Sequence, residues 1–403
     1  MRWIILSYLI ANPFIYWIGK NHRSVQELSY QLSSVIVFSL GLFFKQKELK
    51  FSKLNASIGV LMLAFIFAWF RTMKGFFVAE NLLFGILAYI TIIKTISKED
   101  IEFILKGVAY FAIFCVAVLA FQVAGFDFRG CVIDKGVPYI PHESIFFNYS
   151  SMGMFFAQIV PMLLPLTPFS LLLAIPMYWG KSIAAYLGLA SGILFFMWFR
   201  KRLFFWVFLA LFIAAMGLSC SSPKMIGEFY TDFNIRLSQW SIVTQDIFQH
   251  PIGYGLDSFA NPPDGLWRYY HYNSGQWGDK SKHLTIKAVN NNGTIKGFTD
   301  FDDKCFKNVL NGRGYVEYND HPHNEYLWLG YEVGAWAWIV LGFIFYFLWQ
   351  RFRLSRRDVL SVASMIVIIV YVVECFLQFP FHLSRIGSFF PFVLGVFYIA
   401  TED

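Results

Sequence analysis

Apolar residues in this chain fall in repeated blocks of about 17–25, the length of helix that crosses the hydrocarbon core of a bilayer. They lie at approximately 3–18, 28–44, 55–70, 75–93, 101–125, 145–165, 168–180, 182–199, 203–219, 324–350, 359–377 and 386–400. A soluble fold needs apolar stripes on its helices, not helices that are apolar all round. The blocks predict an all-α integral membrane protein with about twelve transmembrane helices. Hydrophobic residues at 57% and charged residues at only 15% agree with that class. The 168–180 block is short for a crossing and is crowded by Pro161, Pro165, Pro168 and Pro176, so it reads as a broken helix pair or a re-entrant turn.

The blocks divide the chain into residues 1–219 with about nine spans, a polar loop over 220–322, and residues 323–403 with about three spans. Lys45, Lys47, Lys50 and Lys53, then Lys94 and Lys98, Arg200 to Arg202, and Arg351, Arg353, Arg356 and Arg357 all fall on one side of a twelve-span arrangement. Basic short loops mark the cytoplasmic side. Both termini are therefore expected in the cytoplasm, and 220–322 outside. This loop carries 10 Lys/Arg and 11 Asp/Glu, so the net charge of +7 belongs to the cytoplasmic loops and membrane edges. A nucleic-acid partner loses its main support. Trp17-Ile18-Gly19-Lys20 offers no small-residue cleavage site, so the first block reads as a retained span.

Within the loop, Asp232-Phe233-Asn234 offers caps for a helix over 234–249, stopped by His250-Pro251 and Gly253-Tyr254-Gly255. Arg236 and Trp240, four residues apart, share a face of that helix. From 261 to 319 the loop is rich in Asn, Gly, Asp and aromatic residues with little periodicity. Cys131, Cys220 and Cys305 lie on the external side, where a Cys220–Cys305 bridge is permitted, while Cys115 and Cys375 lie in spans.

His321-Pro322-His323-Asn324-Glu325 joins the loop to the next apolar block. Asp320 or His321 can cap that helix and Pro322 suits its first position, which puts His323 in the first turn. The positive end of the helix dipole disfavours an imidazolium there, and free N–H groups favour an anionic ligand. A proton acceptor and an anion site would then coincide; equally, His323 and Asn324 could serve only to cap the helix. Arg71, Lys74, Lys181, Arg236, His382 and Arg385 come to the same external edge from separate segments, where such residues are normally depleted. A ring of cations suits a phosphate or diphosphate at the bilayer surface. Each of them could instead only snorkel. His321 and His323 with Asp320 give too few donors to fix a metal, so none is expected.

Asn234-Ile235-Arg236-Leu237-Ser238-Gln239-Trp240, His250-Pro251-Ile252-Gly253-Tyr254-Gly255 and His323-Asn324-Glu325-Tyr326-Leu327 ahead of Gly334, in that order, resemble the O-antigen ligase and polymerase superfamily. The resemblance covers roughly 180–340 and implies a GT-C-like bundle in a bacterial inner membrane with its site facing the periplasm. It further implies a metal-independent, inverting transfer of a glycan from a polyprenyl diphosphate to an acceptor hydroxyl, with no cofactor. Carried over by motif, His323 and Arg236 are the catalytic residues. Arg236, Lys181, Arg71 and Arg385 would hold the diphosphate, and Asn324, Glu325, His321 and Trp240 would contact the acceptor or support the site. Lys181-Ser182 stands where many members have Ser-Arg, so a point charge replaces a bidentate fork.

The partners implied are the lipid-linked donor, a lipid or glycolipid acceptor and membrane lipids. Ligation to lipopolysaccharide lipid A–core is the preferred expectation. Polymerisation of lipid-linked repeats and glycosylation of a protein stay open beside it. From another class, a lipid-linked sugar or anion transporter would use intramembrane groups such as Glu80, Asn81 and Glu374, although no inverted repeat is visible.

Overall fold

The structure is a computed structural model and describes residues 1–18, 23–44, 47–48, 52–73, 76–126, 132–134, 137–139, 144–146, 149–180, 182–200, 206, 236–237, 239–256, 258–259, 268–273, 284–289, 295–297, 316–318, 322–355, 358–378 and 389–402. The first helices are α1 (Arg2–Ile18), α2 (Arg23–Gly41), α3 (Lys53–Thr72), α4 (Phe76–Thr95) and α5 (Lys98–Val123). A capping box starts α5: the Ser97 hydroxyl accepts from the Asp100 N–H at 3.2 Å while the Asp100 carboxylate accepts from the Ser97 N–H at 3.1 Å. After a short hairpin of β1 (Val132–Asp134) and β2 (Val137–Tyr139), the chain returns through α6 (Tyr149–Leu163).

The proline-crowded block is no continuous α-helix. It is a 3₁₀ helix over Pro168–Ala174, capped by Thr167, followed by one turn, α7 (Met177–Gly180), and then α8 (Ile183–Arg200). Proline cannot donate to a helical ladder, which breaks the block as its sequence suggests.

Residues 236–237 and 239–249 are helical and form α9. The stretch expected to lack periodicity contains a four-stranded antiparallel sheet, with β3 (Arg268–Asn273), β4 (Leu284–Val289), β5 (Ile295–Gly297) and β6 (Val316–Tyr318) in the order β5-β4-β3-β6. Tyr270 pairs with Lys287 on one side and Tyr318 on the other. The block expected as one span over 324–350 is two helices, α10 (Glu325–Glu332) and α11 (Trp336–Ser355). Then come α12 (Val359–Leu377) and α13 (Phe389–Ala400). The expected spans at 203–219 and over 386–388 and the three external cysteines lie outside the described residues, apart from Trp206, which is helical.

Contacts divide the chain into two compact units. One comprises Met1–Ile58, Phe77–Phe205 and Phe343–Asp403, and its centre is α12 against α6, α8 and α13. Ala184, Gly188 and Gly192 recur every four residues along α8, and their small size lets the backbones approach. A Cβ on Gly192 would lie 2.8 Å from Ile366 Cγ2, and one on Gly188 would lie 3.1 Å from the Val370 carbonyl oxygen. Gln122 exchanges two hydrogen bonds with the Ser144 backbone, and Ser144 Oγ donates to the Cys115 carbonyl at 2.7 Å, which pins the return segment onto α5. The other unit comprises Gly59–Phe76 and Trp206–Gly342.

Several helices are apolar on their exposed faces. Val60, Leu63, Phe67 and Phe70 form such a stripe on α3, as do Tyr110, Ile113 and Phe114 on α5 and Ile339, Phe343 and Tyr346 on α11. Asn12, Gln122, Gln158 and Glu374 are meanwhile buried. Water would penalise that arrangement and lipid favours it. Among the described residues four helices, α3, α5, α11 and α12, have both the length and the apolar composition to cross a membrane, and six apolar helices are shorter.

Candidate functional site

The sequence motifs converge in the second unit, on the eight-residue helix α10 and the segments that hold its two ends. Its N-terminus differs from the expectation. The cap is Asn324, whose side-chain oxygen accepts from the N–H groups of Tyr326 at 3.0 Å and Leu327 at 3.1 Å. His323 therefore lies just outside the helix instead of in its first turn. Asparagine is among the best capping residues, and it prevails over Asp320 and His321 because it sits directly before the apolar run. Two of the N–H groups expected to receive an anion are thus already taken.

His323 has φ of 50°, in the left-handed region, and its Nδ1 is shut off from solvent. A side chain there costs about 1–2 kcal/mol relative to ordinary backbone, so its surroundings must impose the conformation. One restraint is visible. The Trp240 indole N–H donates to the Pro322 carbonyl at 2.8 Å, tying α9 to the residue before His323. Arg236, half-buried, sits one helical turn before Trp240 on α9. The single donor of Trp240 is thereby committed to the backbone.

Backbone docking holds the other end of α10. The N–H groups of Tyr254 and Gly255 donate to the Tyr331 and Glu332 carbonyls at 2.9 and 2.8 Å, satisfying acceptors that a helix end leaves open. The Ala335 N–H donates in return to the Pro251 carbonyl at 2.9 Å. Gly253 (φ 81°) and Gly334 (φ 121°) meet at this joint. A Cβ on Gly253 would lie 2.6 Å from both the Glu332 carbonyl oxygen and the Gly334 nitrogen, and one on Gly334 would lie 2.7 Å from the Ile252 carbonyl. Neither position admits a side chain, which is why α10 ends where hydropathy runs on. Trp338 adds a third tie through its indole N–H to the Tyr326 carbonyl at 2.7 Å.

Arg71 supports the same joint. Its Nη1 donates to the Ile252 carbonyl at 3.0 Å and to the Gly253 carbonyl. Thr72 donates to the Leu256 carbonyl at 3.0 Å beside it. The cation expected to hold a diphosphate thus braces the turn that carries Gly253. Asn324 and Glu325, expected to face an acceptor, are 5% and 6% exposed, and the Asn324 oxygen serves the cap. Lys181, Arg385, His321 and His382 lie outside the described residues.

Sequence reasoning missed three buried polar groups and one half-buried phenol here. Glu332 is 1% exposed and accepts from the Phe259 N–H at 3.1 Å. On α9, Gln239 and Asp246 are buried seven residues apart, one face of the helix, a spacing that could have singled them out. Tyr254 lies between the tilted rings of His250 and Tyr331 at centroid distances of 4.5 and 4.7 Å. Burial pushes its phenol above the usual range, and the Asp246 carboxylate adds to the shift, so the hydroxyl keeps its proton.

Fold and site define a helical protein with several membrane-length apolar helices and a braced polar site built on the segments between them. No protein-family model matches the sequence, and no curated protein matches it.

Proposed function

We propose that this protein is a glycosyltransferase that moves a glycan from a polyprenyl diphosphate to an acceptor hydroxyl at the periplasmic face of a bacterial inner membrane, most specifically an O-antigen ligase acting on lipid A–core. The observation that carries the reading is the bond from Trp240 to the Pro322 carbonyl, which links the helix bearing Arg236 to the segment bearing His323. It supports a shared site for a cation and a base, the two functions that the transfer requires.

In this reaction the acceptor oxygen attacks the anomeric carbon as the bond from that carbon to the phosphate oxygen breaks. The electron pair leaves with the diphosphate, and Arg236 stabilises the charge developing there. Arg71 acts through the turn that it braces. His323 orients the hydroxyl and takes its proton. Attack opposite the leaving group inverts the anomeric centre. Because a diphosphate already leaves readily, charge stabilisation and positioning outweigh proton removal.

The test is complementation of a host lacking its own ligase and a host lacking its own polymerase, read on a surface-glycolipid gel at matched protein levels. A full ladder in the ligase-null host supports ligation, and long chains only in the polymerase-null host move the reading to polymerisation. Arg236→Ala is expected to lower turnover by about 10²–10³-fold, at least as much as His323→Ala. Trp240→Phe, which deletes only the tie, should fall between these variants and wild type. Near-normal turnover of Arg236→Ala would overturn the mechanism.

A further inference from the structure

A second polar feature lies in the first unit, and the glycosyl-transfer reading makes no use of it. Gln158 on α6 and Glu374 on α12 are both fully buried, and Gln158 Nε2 donates to Glu374 Oε2 at 2.6 Å. The remaining oxygen of each group, Gln158 Oε1 and Glu374 Oε1, is buried without a hydrogen-bond partner. An ionised carboxylate only accepts, and so does an amide oxygen. The pair is one hydrogen short.

Among the described residues, the helices packed around the pair supply no charge in its place. Neither α6 nor α13 contains an acidic or basic residue, and the only one on α8 is Arg200, about three turns beyond Gly188. The titratable groups on those helices are Tyr149, Tyr186 and Tyr398, and on α12 itself Tyr371 and Cys375 flank the carboxyl. No described cation pairs with Glu374. Gly188 brings α8 onto the side chain, since a Cβ there would lie 3.2 Å from Glu374 Cγ. Glu374 also lies in the last turn of α12, where the helix dipole opposes a negative charge.

We infer that Glu374 is a proton-binding site inside the helical bundle, with the proton on Oε1 donated to Gln158 Oε1. Acid and amide then lie side by side with two hydrogen bonds closing a ring, and neither oxygen is orphaned. The ligand is a proton because the opening is between two acceptors already joined through a direct contact. The neutral pair lets α12 pack tightly on α6 and α8 without a buried charge, which would otherwise be costly in an apolar setting.

Infrared spectroscopy of the full-length protein in lipid nanodiscs at neutral pH tests this. Wild type should show a carbonyl band of a neutral carboxylic acid that shifts in D₂O and is lost in Glu374→Gln. That variant should fold and melt as wild type does, because an amide at 374 can both donate to Gln158 Oε1 and accept from its Nε2. Gln158→Leu should retain the band but move it to the higher frequency of an acid lacking its partner. Absence of the band, failure of Glu374→Gln to fold, or a melting temperature raised by sodium or potassium but not by choline would overturn the inference. The last result would replace the proton with a metal cation.

Discussion

Placing a methyl group on Gly253 tests the joint beneath the candidate histidine. At φ of 81° a side chain costs about 1–2 kcal/mol through backbone conformation alone. The added Cβ would also meet Glu332 O, Gly334 N and Val333 C at 2.6 Å. These are backbone atoms of one fixed segment, the link from α10 to α11, and cannot swing aside, so overpacking adds about 1–3 kcal/mol. Gly253→Ala should therefore destabilise the protein by roughly 2–5 kcal/mol, the sum of those two ranges. Gly342→Ala is the control, since a Cβ there meets nothing within 4 Å. In the interior of α11 it should stabilise by up to about 1 kcal/mol. Thermal unfolding followed by tryptophan fluorescence in one detergent reads both. A displacement of α10 by about 1 Å would also carry His323 out of position, at a loss of about 10²-fold in turnover. Equal melting of Gly253→Ala and Gly342→Ala would refute the reasoning. Gly253→Ala combined with Gly334→Ala should destabilise by less than the sum, because either change opens the same contact.

Asn324→Ala should lower stability by about 0.5–2 kcal/mol in the same melt, and Asn324→Asp should restore most of it, because the aspartate oxygen can accept the same two N–H groups. Arg71→Ala should lower the melting temperature and kcat while leaving KM for the lipid-linked donor near wild type, because Nη1 holds the Ile252 and Gly253 carbonyls. A purely donor-binding Arg71 would raise KM instead, with unchanged melting.

The apolar blocks were legible because the bilayer requirement leaves a local record in each helix. So was the broken region at Pro168, where backbone chemistry alone forbids a continuous ladder. The division of 324–350 was not, because nothing near Gly334 stops a helix strongly; the break comes from Pro251 and Ile252, more than 80 residues earlier in the chain. The cap of α10 fell at Asn324 because Asp320, His321 and Asn324 all lie close to the start and only backbone geometry chooses among them. The structural contact of Arg71 was hidden for a similar reason. A cation at a membrane edge looks available to a ligand until the distant carbonyls that receive it are in place. The motifs of α9 and α10 lie on segments that the Trp240 hydrogen bond joins, a contact that no local signal in either segment announces.

A joint made mostly of peptide groups reads little of the side chains around it beyond the Arg71 guanidinium. The contacts between Gly253 and Gly334 and the paired bonds of Tyr254, Gly255 and Ala335 call on two glycines, the run of the main chain and the Arg71 brace. Neighbouring side chains other than Arg71 can therefore be exchanged while the backbone footing of α10 stays in place. Variety of side chains and constancy of backbone geometry are uncoupled at this one place.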